Sequence, residues 1–243
     1  MTSIHMNNFA EIAHEDLWPA ARSPQGWAAS VGAEEKWREQ LPNKAMAREE
    51  LKNLCARDNV SSETCFLSIM AWGGMRISHG RRAWAVISEI SPIVDDMRSS
   101  KIGRLEAYER FRTLRAENPA CGMGPAFFTK LIYFASPKHD GYIMDQWTAL
   151  SANLLQEKPS FVELIAWKYR KTSYCRVSDE NSVKNYEDYC NFTELLGNKF
   201  NISAEAAEIR MFSRGGKNPA AWRKYVKREV FENNALGYFS GAK

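Results

Sequence analysis

Two side chains near the middle of the chain, Asp145 and Lys130, have residue types that could support chemistry. A carboxylate can stabilise a positive charge that develops in a transition state, and it can orient or deprotonate water. A lysine amine can act as a nucleophile where burial lowers its pKa, and Phe127 and Phe134 lie close to Lys130 in the sequence. Other roles remain open. Asp145 could simply cap the helix that follows it, and Lys130 could contact a phosphate or a leaving group, or lie on the surface.

A glycine turn precedes both side chains. Gly122-Met123-Gly124 lies between two predicted helices, and Pro125 suits the first position of the second helix. The unpaired amides at a helix N-terminus carry the positive end of the helix dipole and can bind a phosphate. A plain helix–helix turn would give the same short pattern.

The rest of the chain shows the 3.6-residue periodicity of helices and no sustained alternation typical of strands. It predicts an all-α fold, a helical array of two lobes with a groove between them, folded as a single unit over 1–243. Within it we expect a loose N-terminal arm over 1–32, a turn-and-aspartate region over 104–156 and basic helices over 203–243. Further helices are predicted at 33–40, 44–57, 61–72, 81–90 (ending at Pro92), 104–115, 125–135, 146–156, 160–170, 181–199, 203–212 and 218–231.

Composition narrows the class of protein. No apolar run is long enough to span a membrane, and the N-terminus has no secretory signal pattern, so we expect a cytoplasmic protein that does not bind membranes. The five scattered cysteines form no CxxC pair, which argues against a zinc ribbon or a disulfide framework, and no metal site is predicted.

Charge is concentrated near the C-terminus. Residues 210–243 carry eight Lys or Arg and two acids, a net charge of +6, whereas the rest of the chain has a net charge of −2. Aromatic residues among these cations suit a polyanion, although an amphipathic helix with a buried aromatic stripe would look the same.

The order of helix, Gly122-Met123-Gly124, helix and Asp145 resembles the helix-hairpin-helix DNA glycosylases, the superfamily of 8-oxoguanine DNA glycosylase and endonuclease III. The family's lysine position falls on Ala126, and Asp145 follows it by 19 residues. The resemblance implies that the hairpin and the basic residues Arg214 and Lys217 bind double-stranded DNA. It also implies that Asp145 stabilises the sugar cation formed when an N-glycosidic bond breaks.

Two departures from the family pattern matter. The lysine that forms an imine in bifunctional members is absent at Ala126, and Lys130 lies one helical turn further on. We therefore expect a monofunctional enzyme that leaves an abasic site. The iron–sulfur cluster of endonuclease III relatives has no counterpart, because the C-terminal half holds only Cys175 and Cys190. A structural monovalent cation at the hairpin is the one bound group that the resemblance allows.

An everted base needs a pocket, for which Trp72, Phe128 and Trp147 are candidates, although each could equally be a core residue. The stretch from Gly124 to Lys130, followed by Asp145-Gln146-Trp147, resembles a bacterial branch that includes antiphage glycosylases. That likeness implies removal of glucosylated hydroxymethylcytosine from phage DNA. We expect the protein to be a monomer. Repair of 8-oxoguanine is an alternative substrate. A non-enzymatic DNA-binding hairpin module and a helical interaction protein are alternatives from other classes.

Overall fold

The computed structural model of the chain describes residues 3–13, 22–170 and 172–239. Over these residues the elements in chain order are α1 (Ile4–Glu11), α2 (Pro24–Val31), α3 (Glu35–Arg38), α4 (Arg48–Cys55), α5 (Ser62–Trp72), α6 (Ile77–Ala85), α7 (Ile87–Arg98), α8 (Arg104–Glu117), α9 (Pro125–Ala135), α10 (Gln146–Leu155), β1 (Leu164–Tyr169), β2 (Thr172–Val177), α11 (Val183–Lys199), α12 (Ala204–Phe212) and α13 (Ala221–Lys227), with a π-helical turn at Arg228–Glu232. The prediction of a mainly helical protein is confirmed for the described residues.

The helix predicted over 160–170 is wrong, because this segment contributes to an antiparallel β-hairpin. β1 pairs with β2 from Leu164 opposite Val177 to Tyr169 opposite Thr172. The strand residues are rich in aromatic and β-branched types. The turn, however, passes through Arg170 at a φ of 54° rather than through an Asn-Gly or Asp-Gly pair. The usual sequence signal for a hairpin is therefore absent.

Two further predictions also differ from the structure. Pro92 does not end a helix. It lies inside α7, where Ile90, Val94 and Met97 are buried, and this packing evidently tolerates the one backbone hydrogen bond that proline cannot make. The N-terminal segment is not a loose arm where it is described. Phe9 of α1 is buried beside Trp222, at 4.8 Å between ring centroids, and Trp27 of α2 is also buried.

The chain divides into two compact units. The middle unit comprises Trp18–Ile143, and the terminal unit comprises Met1–Leu17 together with Met144–Lys243. The middle unit is built around α5, in which every residue except Glu63 is buried. A helix that is apolar on all sides needs neighbours on all sides, and this explains why α5 shows little amphipathic periodicity.

The core of the terminal unit contains a short chain of buried hydrogen bonds that joins three helices. Trp222 Nε1 of α13 donates to Ser151 Oγ of α10 at 3.0 Å, and Ser151 Oγ donates to the carbonyl of Met211 in α12 at 2.7 Å. All three residues are buried. A satisfied polar network of this kind fixes the helices in one arrangement, and it sets the position of α10, whose first turn carries Asp145.

Candidate functional site

Asp145 is the N-cap of α10, as the sequence predicted. Its Oδ1 accepts hydrogen bonds from the amides of Trp147 at 2.8 Å and Thr148 at 3.2 Å. The hydroxyl of Thr148 in turn accepts a bond from the Asp145 amide at 3.0 Å, which completes a capping box. Both capping bonds end on Oδ1, so Oδ2 takes no part in the cap. The residue is half-buried, and the carboxylate is thus held rigidly without being walled off from solvent.

The guanidinium of Arg223 lies in the same region of the terminal unit. It stacks on the indole of Trp147, with Cζ 3.8 Å from the ring centroid. Arg223 is only 5% exposed, and burial lowers its pKa to about 10, while the negative charge of Asp145 acts in the opposite direction. A buried cation therefore lies within electrostatic reach of the candidate catalytic carboxylate. Sequence reasoning missed Arg223, because one arginine in a basic helix gives no signal of its own.

The β-hairpin meets the start of α10 through Cys175. The side-chain amide of Gln146 takes the orientation in which its nitrogen and its oxygen both have partners. The nitrogen donates to the Cys175 carbonyl at 3.0 Å, and the oxygen accepts from Trp147 Nε1 at 3.1 Å. The Cys175 thiol is buried, which raises its pKa to about 12, and Asp145 raises it further. The inner side of the hairpin is therefore part of the surroundings of Asp145, and the predicted helix at 160–170 concealed this relationship.

A buried tyrosine forms a hydrogen bond with the capping box. Tyr189 of α11 is fully buried and forms a side-chain hydrogen bond with Thr148. Burial raises the pKa of Tyr189 well above its ordinary value, and the nearby carboxylate of Glu208 acts in the same direction. The phenol therefore remains protonated and neutral at physiological pH, so this support of the capping box does not titrate.

The loop that follows α12 carries Arg214 and Lys217, which were predicted to contact DNA. It begins at Ser213, whose φ of 49° and ψ of 133° are unusual for a residue with a side chain. Arg223 holds this strained residue in place. Its Nε donates to the Phe212 carbonyl at 3.0 Å and its Nη2 donates to the Ser213 carbonyl at 2.6 Å. Lys217 is exposed, whereas Arg214 is half-buried and donates to the Asn218 carbonyl at 2.7 Å.

In the middle unit, the predicted glycine turn joins α8 to α9. Gly122 has a φ of 76°, and a Cβ at this position would lie 2.5 Å from the carbonyl oxygen of His79. Glycine is therefore required at position 122, because the backbone there passes close to α6. Met123 is buried, while Gly124 is half-buried and forms the N-cap of α9 without a side-chain cap. Of the three residues, Gly124 is the one placed as an anion-binding helix N-terminus requires.

Lys130 lies on α9 and is 4% exposed. Its Nζ donates to the Ala126 carbonyl at 2.5 Å and lies 5.5 Å from the ring centroid of Phe127. The stem of the side chain packs on Gly73, where an added Cβ would lie 2.7 Å from Lys130 Cδ. In this conformation the amine is engaged with its own helix, an arrangement that does not favour attack on a sugar carbon.

Trp72 and Phe128, two of the three proposed base-pocket residues, are placed in the core of the middle unit. Trp72 is 2% exposed and packs edge-on against Phe134 at 4.8 Å, and Phe128 is 1% exposed and stacks on Phe111 at 5.6 Å. A ring that is covered by other rings cannot stack on a base, so the core reading applies to both. Trp147 is half-buried and is the remaining candidate of the three.

Several carbonyls around the glycine turn accept hydrogen bonds from within the chain. The Asn118 carbonyl accepts the Cys121 amide at 3.0 Å, and the Gly124 carbonyl accepts the Phe127 amide at 2.9 Å. The Pro119 carbonyl already accepts a cationic guanidinium, that of Arg115. Across the described residues, no three His, Cys, Asp or Glu side chains are grouped so that they could hold a metal. Among the helices within that part of the chain, none combines the length and the apolar character that crossing a bilayer requires.

Comparison with known proteins gives one match. The family model described as "Putative 8-oxoguanine DNA glycosylase OGG-like protein" matches residues 14–212. No curated protein and no solved structure matches the chain. The matched residues make up well over half of the sequence and include the glycine turn, Asp145 and the β-hairpin. The chain therefore belongs to this OGG-like family of DNA glycosylase proteins.

Proposed function

We propose that this protein is a DNA glycosylase that hydrolyses the N-glycosidic bond of an everted, modified base and leaves an abasic site. One observation carries the proposal: in a chain of this family, Asp145 is fixed at the N-cap of α10, half-buried, and has one oxygen outside the cap. The family supports the class of reaction, and the geometry of the cap supports Asp145 as its catalytic residue.

The reaction can be written with the chain's own groups. The bond between C1′ and the base nitrogen breaks, the electron pair leaves with the base, and positive charge develops on the sugar. Asp145 stabilises this charge through its carboxylate and orients a water molecule, whose oxygen then bonds to C1′. The released water proton passes to Asp145 or to solvent, and the departing base takes up a proton from solvent.

Trp147 is proposed to line the base pocket. Arg223 stacks on its indole and Phe231 packs edge-on to it, with ring centroids 6.1 Å apart, so the ring is held in place and its exposed part can contact an everted base. The buried guanidinium also adds positive charge close to the strand, which suits a DNA phosphate or the electron-rich leaving base. Gly124 and the exposed Lys217 are proposed to contact phosphates.

We favour a modified cytosine in phage DNA as the target, and hence an antiviral role in the cytoplasm for a monomeric enzyme of the kind known as bacteriophage replication inhibition DNA glycosylase. The small Ala126 stands where the family has a lysine, and the lost side-chain volume suits a bulky substituent such as a glucosyl group. The alternative is repair of 8-oxoguanine, which the description of the matching family favours.

A monofunctional reaction is favoured over strand cleavage through an imine. Ala126 has no amine, and the amine of Lys130 is held by the Ala126 carbonyl at 2.5 Å in a nearly buried position. Borohydride reduction during turnover should therefore trap no covalent adduct between the protein and DNA. An adduct that disappears in Lys130→Met would establish the bifunctional alternative.

The decisive experiment is mass spectrometry of the bases released from three phage genomes, with unmodified, hydroxymethylated and glucosylated cytosine, alongside a duplex with one 8-oxoguanine. We expect release from the glucosylated genome and none by Asp145→Asn, which keeps the shape and the capping acceptor but removes the charge. Release of 8-oxoguanine alone would assign the repair function. If no substrate loses a base and Asp145→Asn retains every DNA-dependent effect, the chain is instead a DNA-binding hairpin module.

A further inference from the structure

The outer face of the β-hairpin is unusually apolar for an exposed surface. Because side chains alternate along a strand, Ile165, Trp167 and Tyr169 of β1 share this face with Tyr174 of β2. Their exposed fractions are 41%, 42%, 61% and 41%. Within the described residues only Ile4 and Leu195 are other large hydrophobic side chains with comparable exposure. Large exposed rings that cluster on one face mark an interaction surface rather than chance exposure.

Two of these rings stack on each other, and each keeps its outward face for a partner. Trp167 lies directly opposite Tyr174 in the strand register, and the rings are nearly parallel, with centroids 5.6 Å apart and planes inclined by 14°. The pair is thus preorganised by the sheet and needs no rearrangement before it meets a flat partner. Flat, sequence-tolerant partners of this kind are the unstacked bases of DNA.

The charge of the hairpin is entirely positive. Residues 164–177 contain Lys168, Arg170, Lys171 and Arg176 and no acidic residue. Arg176 is exposed and lies opposite Ile165 on the outer face. Arg170 lies at the turn, with Cζ 5.4 Å from the ring centroid of Tyr169. Cations interleaved with aromatic rings are the composition expected of a surface that follows a nucleic-acid strand.

The inner face of the hairpin lies near the candidate catalytic residue, Asp145. Cys175 and Val177 are buried there, and the Cys175 carbonyl accepts a bond from Gln146, the residue next to Asp145. The hairpin that carries the outer rings therefore packs against the first turn of α10. A DNA strand whose nucleotide reached Asp145 would therefore pass close to the hairpin.

We propose that the outer face of the hairpin, formed by Trp167, Tyr169, Tyr174 and Arg176, is a second DNA contact that stacks on an unstacked base beside the excised nucleotide. The proposal rests on the proposed glycosylase function for its biological setting, but it makes its own claim about binding. The partner is DNA rather than another protein because the patch pairs exposed rings with positive charge from strands that carry no acidic residue.

The test measures DNA affinity in an Asp145→Asn background, so that turnover does not interfere. The probes are a fluorescein-labelled duplex with one abasic-site analogue and a labelled single strand. Fluorescence anisotropy measures the binding of each probe. Trp167→Ala combined with Tyr174→Ala should weaken binding of both probes about tenfold, which is about 1.4 kcal/mol. Trp167→Phe combined with Tyr174→Phe keeps both π-faces and should bind within about twofold of the parent. Arg176→Gln should lower the salt dependence of binding by about one phosphate contact.

Leu195→Ala is the matched control, since it removes an exposed hydrophobic side chain of the same unit, 65% exposed, from α11, and its affinity should not change. Unchanged affinity of the double alanine variant, with an unaltered melting temperature, overturns the proposal. So does a wild-type dimer by light scattering that the double variant converts to a monomer while DNA affinity stays constant, because the face would then join two copies. If no substrate loses a base but the double variant still loses affinity, the glycosylase proposal fails and the hairpin contact stands.

Discussion

At Asp145 a single carboxylate caps a helix and is proposed to perform catalysis, and two substitutions can separate these tasks. Asp145→Ala removes both, so we expect a loss of about 1 kcal/mol in the free energy of unfolding as well as loss of base release. Asp145→Asn keeps an oxygen that can accept the Trp147 and Thr148 amides, and asparagine is an equally good N-cap. Its stability should stay within about 0.5 kcal/mol of the wild type while activity is lost.

Urea denaturation of the two variants, run beside the base-release assay, checks this separation. Ser203→Ala provides the control for capping alone, because Ser203 caps α12 through a bond from the Ala206 amide at 3.0 Å. It should cost a similar amount of stability and leave base release intact. Full activity of Asp145→Asn would show that the residue acts only as a cap.

The buried thiol of Cys175 leads to a prediction about how the free energy of unfolding depends on pH. Burial raises the pKa of this thiol from 9.0 to about 12 in the folded protein, so the unfolded chain releases the proton at a lower pH than the folded chain does. Stability is therefore complete below pH 9.0 and is lost as the pH rises from 9.0 towards about 12. Between pH 8 and pH 10, Cys175→Ala should lose less unfolding free energy than the wild type, by about 1 kcal/mol. Equal losses in urea titrations at the two pH values would contradict this expectation.

At the scale of elements, Arg223 connects α13 to the C-terminal end of α12. It makes bonds to the carbonyls of Phe212 and Ser213 and stacks on Trp147. Arg223→Lys keeps the charge but loses the planar fork and the stacking. We expect a loss of about 3 kcal/mol in unfolding free energy, because a buried charge is left with fewer partners. Thermal and urea denaturation measure it.

Arg228→Lys is the matched control for this substitution. Arg228 also lies near an aromatic ring, that of Tyr225 at 5.1 Å, and it pairs with Glu229, but its side chain is 56% exposed. Exposed pairs contribute little, so the change should stay within about 0.5 kcal/mol. If both arginine variants lost the same stability, the buried connection between α12 and α13 would not explain the effect.

The elements that could be predicted are those with local signals. Ser61 caps α5 and Pro125 opens α9 as expected, because capping serines and N-terminal prolines act within a single turn. The β-hairpin and the helix through Pro92 could not be predicted in this way. The hairpin was missed because its turn at Arg170 lacks the usual Asn-Gly or Asp-Gly signal, although its strand residues favour strands. Around Pro92 tertiary packing overrides local propensity, because the burial of its neighbours is set by other helices.

Over the whole molecule, the sequence predicted a candidate site but not its surroundings. Asp145 was proposed from its position after the glycine turn, and its role as a helix cap could be predicted from the residues beside it. Arg223 and Cys175 are far along the chain and reach the first turn of α10 only through folding. The burial of Trp72 and Phe128 could not be predicted either, because an aromatic ring in a helix gives no local sign of whether it faces the core or the solvent.

The uneven distribution of charge makes the last prediction, which concerns DNA binding by the complete chain. Residues 210–243 carry a balance of +6 in a chain whose net charge is +4. Each phosphate contact releases counterions, so the logarithm of the binding constant should fall linearly with the logarithm of salt concentration, by about 0.9 per contact. Lys217 is exposed, and Lys217→Gln should reduce the slope by about 0.9 for any DNA sequence.

Lys36→Gln is the control for this salt dependence, because Lys36 is paired with Glu34 at 2.7 Å and lies outside the basic region. Its slope should match that of the wild type. Anisotropy titrations between about 50 and 200 mM salt measure the slopes, and a wild-type slope near zero would show that phosphate contacts do not drive binding.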